Sequence, residues 1–175
     1  LKEVENSVLW LLVDNPTISQ NLKIEALKHG VLQHRLVFAE RAPLEIHLAR
    51  HQFADLFLDT FPYNAHTTAS DALWAGLPVL TCMGESFAGR VAASLLNAIG
   101  LPELVTETRT DYEAQAIELA KNPAKLKKIK EKLEHNRLTT PLFDTARFTK
   151  NIEAAYSQMF ERYQADLMPA NIEVL

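Results

Sequence analysis

The first half of the sequence alternates short apolar runs with stretches whose apolar residues recur at helical spacing. The runs with the composition of strands are Val8–Val13, Arg35–Phe38, Leu56–Leu58, Val79–Cys82 and Leu104–Val105. Each connection between them is long enough to hold a helix, and strands joined in this way pair in parallel with right-handed crossovers. The pattern predicts an α/β fold, a doubly wound Rossmann-like parallel sheet. The unbroken run Val8–Val13 is typical of a strand buried on both faces.

From Asp111 onward the sequence becomes helical, with apolar residues on one face of each of three successive segments. We therefore expect a Rossmann-like core over residues 1–110. C-terminal helices over residues 111–175 would pack on the same lobe as a helical tail. The sequence starts with Leu1 rather than methionine, and we expect it to be a fragment of a larger chain.

The charge balance and the cysteine content exclude several classes of protein. Lys and Arg number 18 against 22 Asp and Glu, a formal net charge of −4, which provides no overall field for nucleic acid or anionic membranes. A single cysteine, Cys82, excludes an intrachain disulfide and a Cys-rich zinc site. The six histidines show no strong metal pattern, so we expect no metal site. A charged N-terminal segment and the lack of a long apolar run favour a cytoplasmic protein.

Residues 58–71 are the strongest candidate for a binding site, because ligands of doubly wound sheets bind at the carboxyl ends of the strands. A buried strand is followed by a Pro/Asn turn and then by a helix that starts near Thr67. Free N–H groups at that helix start, together with the Thr67 and Thr68 hydroxyls, suit a phosphate. Asp71 lies one turn further and suits ribose hydroxyls. The alternative is that the threonines only cap the helix and Asp71 only favours its dipole.

Two further segments follow neighbouring strands. His47 and Arg50 are three residues apart on one helix face and could both reach an anion; the alternative is an ordinary solvated face. Gly84 and Ser86 follow the fourth strand, and we favour simple turn and cap chemistry there.

Several of these segments resemble the protein O-GlcNAc transferase family, which includes Spindly-like bacterial and plant members. The most specific match combines a His-Thr-Thr-x-x-Asp motif at His66 with Leu-Trp-Ala-Gly-x-Pro at Leu73. The segments that carry the resemblance are Leu56–Thr60, Asn64–Thr68 with Asp71, Leu73–Val79, Gly84–Ser86, Arg90–Ser94, Ser7–Leu12 and Pro141–Thr145. They cover nearly the whole chain.

The resemblance implies the C-terminal lobe of a GT-B glycosyltransferase, the lobe that holds the nucleotide sugar. By resemblance, Thr67 and Thr68 would hold the diphosphate, His66 would lie alongside the nucleoside diphosphate, and Asp71 would bind the ribose. The remaining implied donor contacts are Ala42 through its backbone at the uracil, and His47 and Arg50 around the base and diphosphate. No catalytic residue is assigned within this sequence.

The sequence departs from the family pattern at two positions. The lysine usually found two places after Ala42 is Leu44, and the last residue of the usual His-Thr-Thr-Gly is Ala69. In the family, the first strand of this lobe and the N-terminal lobe would precede Leu1. We therefore expect this fragment to be inactive alone.

The implied function is transfer of N-acetylglucosamine from UDP-GlcNAc to Ser or Thr of proteins, without a metal cofactor. Acceptor proteins would be recognised by tetratricopeptide repeats and an N-terminal lobe; neither nucleic acid nor membrane is an expected partner. Two alternatives stay open: a lobe that uses GDP-fucose, and a non-catalytic module that binds a nucleotide or a partner. An unrelated doubly wound nucleotide-binding protein is disfavoured because the sequence has no G-x-G-x-x-G and no P-loop.

Overall fold

The computed structural model describes residues 1–174 and contains five strands and seven α-helices in that range. The strands are β1 (Leu9–Leu12), β2 (Leu36–Ala39), β3 (Phe57–Leu58), β4 (Val79–Cys82) and β5 (Val105–Thr106). The helices are α1 (Pro16–Lys28), α2 (Leu44–Arg50), α3 (Thr67–Trp74), α4 (Val91–Ala98), α5 (Arg109–Lys121), α6 (Pro123–Thr139) and α7 (Thr145–Gln164). Leu175, the last residue of the predicted tail, lies outside the described residues.

All strand pairs are parallel, and each connection between sequential strands contains a helix. The predicted α/β class is therefore confirmed. Hydrogen bonds divide the strands into two sheets, β1-β2 and β3-β4-β5. The first sheet pairs Leu9 with Leu36, and the second pairs Phe57 with Val79.

The hydrophobic core surrounds β4, whose four residues are all buried. Fully buried side chains from four helices pack into this core. They are Ala69, Ala72 and Leu73 of α3, Ala92 and Leu96 of α4, Leu119 of α5, and Leu133 of α6. The core thus holds α3 rigidly by its buried face, while the first residues of α3 stay at the surface.

The expectation that the Val8–Val13 run is buried on both faces is wrong. Burial alternates along β1, and Trp10 and Leu12 are 38% and 51% exposed. The main core lies around β4 and includes no residue of β1, so alternate side chains of β1 stay exposed. A continuous apolar run therefore occurs here on a half-exposed strand.

Residues 87–98, which follow β4, form two separate helical pieces. A 3-10 turn, Phe87–Gly89, comes first, and α4 starts only at Val91. The Ser86 hydroxyl accepts a hydrogen bond from the Gly89 N–H at 3.1 Å, so the cap expected at Ser86 is present. Arg90, with a non-helical φ of −121°, separates the two helical segments.

The C-terminal helices divide into two groups by burial. α5 and α6 contribute Leu119, Ile129 and Leu133 to the core. α7 has no buried residue, and its apolar side chains Phe148, Tyr156 and Phe160 are more than half exposed. The stability of the domain therefore depends on α5 and α6 rather than on α7.

Candidate functional site

An open cleft of about 510 Å³ lies at the carboxyl end of β3 and the start of α3. Residues 57–60 and 63–68 line it. The cleft therefore contains the His66, Thr67 and Thr68 segment that the sequence predicted as the principal binding site. Its position at the end of a parallel strand is where doubly wound sheets bind ligands.

The loop between β3 and α3 is organised by the Asp59 carboxyl group, which is only 3% exposed. Oδ1 accepts hydrogen bonds from the N–H groups of Thr60 at 2.8 Å and Ala65 at 2.7 Å. Oδ2 accepts one from the Thr81 hydroxyl of β4 at 2.7 Å. The Tyr112 hydroxyl of α5 donates to the Asp59 carbonyl at 2.9 Å. One side chain thus ties both ends of the loop to the sheet.

Burial raises the pKa of Asp59 above the ordinary value for an aspartate, and the hydrogen bonds from Thr81, Ala65 and Thr60 act in the opposite direction. The Tyr112 phenol is affected in the same sense: burial raises its pKa beyond its ordinary range. Asp59 is almost inaccessible to water, and the low local dielectric strengthens the hydrogen bonds that hold the loop.

A second contact holds this loop against the segment after β4. The Asn64 N–H donates to the Ala88 carbonyl at 2.9 Å, and the Asn64 side-chain amide donates to the Thr60 carbonyl at 2.8 Å. A Cβ at Gly89 would lie 3.2 Å from the carbonyl oxygen of Pro62, so a larger residue there would crowd the two loops, which glycine avoids. The loop is therefore fixed from two directions.

The first turn of α3 directs unpaired backbone groups toward the cleft. The N–H groups of Ala69 and Ser70 both donate to the His66 carbonyl at 3.1 Å. Thr67 and Thr68 precede them, and within residues 1–174 their N–H groups have no acceptor. Both residues are exposed. Two amides, two hydroxyls and the positive end of the helix dipole together form a favourable environment for an anion.

His66, the N-cap residue of α3, lies between two aromatic side chains. The Tyr63 ring stacks on it with centroids 5.1 Å apart, and the Phe87 ring meets it edge-on at 5.9 Å. Its Nε2 is buried and, among the described residues, has no hydrogen-bond partner. The same is true of Oδ1 of Asn64, a residue 1% exposed. A buried polar atom without a partner is costly, so a ligand group at either atom would be stabilising.

His47 and Arg50, on α2, are joined to each other. The Arg50 guanidinium donates to His47 Nδ1 at 2.7 Å and to the Glu40 carbonyl at 2.9 Å. A guanidinium group has no acceptor, so Nδ1 is unprotonated and the neutral ring carries its proton on Nε2. His47 is therefore prepared to donate one hydrogen bond from Nε2.

The surroundings of His47 keep it neutral. Burial, the neighbouring His51 and the Arg50 charge lower its pKa, whereas the negative charge of Asp71 acts in the opposite direction. Asp71 therefore lies within electrostatic range of His47, so the start of α3 is near α2. Asp71 itself is half-buried, one turn from Thr67.

Ala42 and Leu44 lie in the loop and first turn between β2 and α2. Ala42 is half-buried, and Leu44, at the position where the family usually has lysine, is 61% exposed. An exposed leucine here supplies no charge for an anion. The predicted binding residues thus fall into two groups: Ala42, His47 and Arg50 near the end of β2, and His66, Thr67, Thr68 and Asp71 near the end of β3.

The sequence analysis assigned no individual role to the residues that support the site: Asp59, Thr81, Tyr112, and the Tyr63 and Phe87 rings beside His66. Asp59 could have been found, because it is a polar residue directly after a strand at the predicted ligand edge. The long-range partners Thr81 and Tyr112 carried no such signal, since their roles depend on contacts across 22 and 53 residues of sequence.

Neither a metal cluster nor a membrane span is found in the part of the chain that the structure describes. No group of three or more His, Cys, Asp or Glu side chains in residues 1–174 could hold a metal ion. No helix among those residues is long and apolar enough to cross a bilayer.

Comparison with known proteins identifies relatives over almost the full sequence. An Arabidopsis thaliana protein named "Probable UDP-N-acetylglucosamine--peptide N-acetylglucosaminyltransferase SEC" is 39% identical over 176 residues, covering 100% of this chain and 18% of that protein. A Caenorhabditis elegans UDP-N-acetylglucosamine--peptide N-acetylglucosaminyltransferase is 36% identical, covering 95% of this chain and 14% of that protein. This chain thus spans less than a fifth of these relatives.

A solved structure has the same fold. A mutant O-GlcNAc transferase from Thermobaculum terrenum superimposes with a TM-score of 0.82 at 34% sequence identity, covering 87% of this chain and 30% of that one. The GT-B lobe implied by the resemblance is therefore confirmed. The model for Glycosyl transferase family 41 matches residues 1–152. Since that match covers most of the chain, and the fold and relatives agree with it, this chain belongs to glycosyl transferase family 41.

Proposed function

We propose that the whole protein transfers N-acetylglucosamine from UDP-GlcNAc to Ser or Thr hydroxyls of proteins, and that this chain binds the donor. The relatives named above are described as acting with UDP-N-acetylglucosamine on peptides. The observation that carries the proposal is the pair of free amides and hydroxyls at Thr67 and Thr68, directed to the cleft beside His66. They would bind the diphosphate.

The nucleoside would lie between the two groups of predicted residues. Asp71 would accept hydrogen bonds from the ribose hydroxyls. His47 would donate from Nε2, its other nitrogen being occupied by Arg50. Ala42 would present its backbone to the uracil at the end of β2. The influence of Asp71 on His47 supports a single continuous site for these contacts.

The same residues would assist departure of UDP. When an acceptor hydroxyl attacks the anomeric carbon, the bond to the β-phosphate oxygen breaks and negative charge grows on that phosphate. The amides and hydroxyls of Thr67 and Thr68 would face this phosphate, and preorganised donors of this kind lower the barrier most when charge develops. We propose that they do so without a metal cofactor. Acceptor recognition and the catalytic base are assigned to other parts of the protein.

We further propose that residues 1–110 and the helices of residues 111–175 act as one donor-binding lobe. Core residues from both parts support this, since Leu73 and Leu133 belong to one cluster. Replacement of residues on α6 should therefore destabilise the donor site as well as the tail.

Calorimetric titration of the whole protein with UDP and with GDP tests the proposal. Binding of UDP with weak or no binding of GDP supports a UDP-sugar donor. Binding of GDP alone overturns it in favour of a GDP-fucose donor. The absence of binding to either nucleotide overturns the donor-binding role and leaves the non-catalytic alternative. Transfer from UDP-GlcNAc to a protein acceptor, detected by mass spectrometry, tests the reaction itself.

A further inference from the structure

The segment that leads into α3 is held by a buried carboxyl group that has no place in the donor contacts above. Asp59 is 3% exposed and lies directly after β3. Its Oδ1 accepts from two backbone N–H groups, those of Thr60 and Ala65, at 2.8 and 2.7 Å. The hydrogen bond from Ala65 closes the backbone loop between residues 59 and 65. The second of these amides belongs to the residue immediately before His66, the N-cap of α3.

The position of Asp59 is itself fixed by the sheet and by α5. Its N–H donates to the Leu80 carbonyl at 3.0 Å, and its carbonyl accepts from the Tyr112 hydroxyl at 2.9 Å. Its Oδ2 accepts from the fully buried Thr81 hydroxyl at 2.7 Å. The carboxyl group therefore connects the rigid core around β4 to the first turn of α3.

We propose that Asp59 is the positioning residue for the diphosphate-binding turn, acting through Ala65 on the amides of Thr67 and Thr68. This inference rests on the proposed function, because it assumes that those amides bind the diphosphate. Asp59 is not a catalytic residue, since it faces the protein's own donors. Its effect is orientation: without the Ala65 bond, the N-terminal turn of α3 loses its connection to β3, and its amides no longer converge on one phosphate.

The hydrogen-bond geometry requires an acceptor at Oδ1 but not a negative charge. An asparagine can keep its Oδ1 toward both backbone amides and donate its side-chain N–H to Thr81 Oγ1, which accepts as well as donates. The raised pKa of Asp59 agrees with this, because burial already disfavours the charged carboxylate there. Asp59→Asn should therefore preserve the site, whereas Asp59→Ala should not.

The test compares Asp59→Ala, Asp59→Asn and Thr81→Val in the whole protein by calorimetric titration with UDP and with uridine. Asp59→Ala should lower the affinity for UDP at least tenfold and change the affinity for uridine less than threefold. The reason is that only the diphosphate contacts are misaligned. Asp59→Asn should keep UDP affinity within about threefold. Thr81→Val removes one of the three donors to the carboxyl group, so the affinity for UDP should fall about two- to fivefold. This variant keeps the test available if Asp59→Ala does not fold.

Thr106→Val is the matched control. The Thr106 hydroxyl is also buried on a neighbouring strand and donates to the Thr81 carbonyl at 2.9 Å, but it does not touch the loop. It should lower the melting temperature about as much as Thr81→Val and leave UDP affinity unchanged.

Equal weakening of UDP and uridine in Asp59→Ala, or an Asp59→Asn variant as poor as Asp59→Ala, would overturn the proposal. A folded Asp59→Ala protein with wild-type UDP affinity would also overturn it. These results differ from failure of the proposed function, in which the wild-type protein itself does not bind UDP.

Discussion

Arg50 donates a hydrogen bond to Nδ1 of His47 at 2.7 Å, and this contact determines which nitrogen of His47 can serve a ligand. Because the guanidinium has no acceptor, the neutral imidazole must carry its proton on Nε2. Protonating Nδ1 would place two donors against each other. The pair therefore makes His47 a neutral donor in the middle of α2.

A first prediction concerns the pH dependence of stability. Burial, His51 and Arg50 lower the pKa of folded His47, whereas the unfolded ring keeps its ordinary value of about 6.5. Above that value the ring is neutral in both states. As the pH falls below it, the unfolded state binds a proton that the folded state resists, so the free energy of unfolding decreases. Urea unfolding at several pH values should show a shallower decrease between about pH 7 and pH 5 for His47→Gln. Parallel curves for the two proteins would contradict the prediction.

A second prediction concerns the threonine hydroxyls of α3. Thr67→Val and Thr68→Val should each weaken UDP binding about 10- to 150-fold, because a hydrogen bond to a charged phosphate contributes about 1.5–3 kcal/mol. Thr139→Val is the control, since its hydroxyl bonds only within α6, to the His135 carbonyl. Calorimetric titration makes the measurement. Unchanged affinity in both α3 variants would remove the hydroxyls from the diphosphate site.

A third prediction separates Asp71 as a ribose ligand from Asp71 as a helix-dipole partner. Asp71→Asn should lower the affinity for UDP about tenfold and the affinity for 2′,3′-dideoxy-UDP much less. The analogue lacks the hydroxyls that donate hydrogen bonds to the carboxylate. Equal weakening of both nucleotides would indicate that Asp71 acts only through its charge. The melting temperature of the variant provides a check on folding.

A fourth prediction concerns metal dependence. If amides and hydroxyls at the start of α3 stabilise the departing UDP, transfer by the whole protein should continue in excess EDTA at a rate within about twofold of that with Mg²⁺. The measurement is transfer of radiolabelled N-acetylglucosamine to a protein acceptor. A rate restored only by added divalent cations would contradict a metal-independent mechanism.

A fifth prediction contrasts two helices of the tail. Leu133 of α6 is fully buried in the core, so Leu133→Ala should lower the free energy of unfolding by about 2–5 kcal/mol. Ile152 of α7 is 38% exposed, and Ile152→Ala should cost less than about 1 kcal/mol. Chemical denaturation of the two variants gives the comparison. Similar losses would mean that α7 is as well packed as α6.

Periodicity predicted most of the elements because it depends on local physics. The alternation of apolar runs and amphipathic stretches was enough to predict parallel strands joined by helices. It failed at β1, where composition alone suggested burial on both faces. Whether Trp10 is covered depends on what packs against the strand, which composition does not report.

The candidate binding residues were also accessible from the sequence, because they stand where predicted strands and helices meet. The roles of His66, Thr67, Thr68, Asp71, Ala42, His47 and Arg50 as donor contacts stay predictions. The hydrogen bond that Arg50 donates to Nδ1 of His47 was not predicted, although the two residues are only three apart in the sequence. Rotamers and tautomers depend on the whole neighbourhood, here including the Glu40 carbonyl.

The sequence by itself determined the α/β class, the order of the elements, the family, and the short polar segments that follow β2 and β3. Tertiary structure decided how those segments are held. Asp59 reaches Thr81 and Tyr112 only because β4 and α5 pack beside β3, and such contacts between distant residues leave no local pattern in the chain. Local propensities act over a few residues, whereas the orientation of a binding turn depends on every element packed against it.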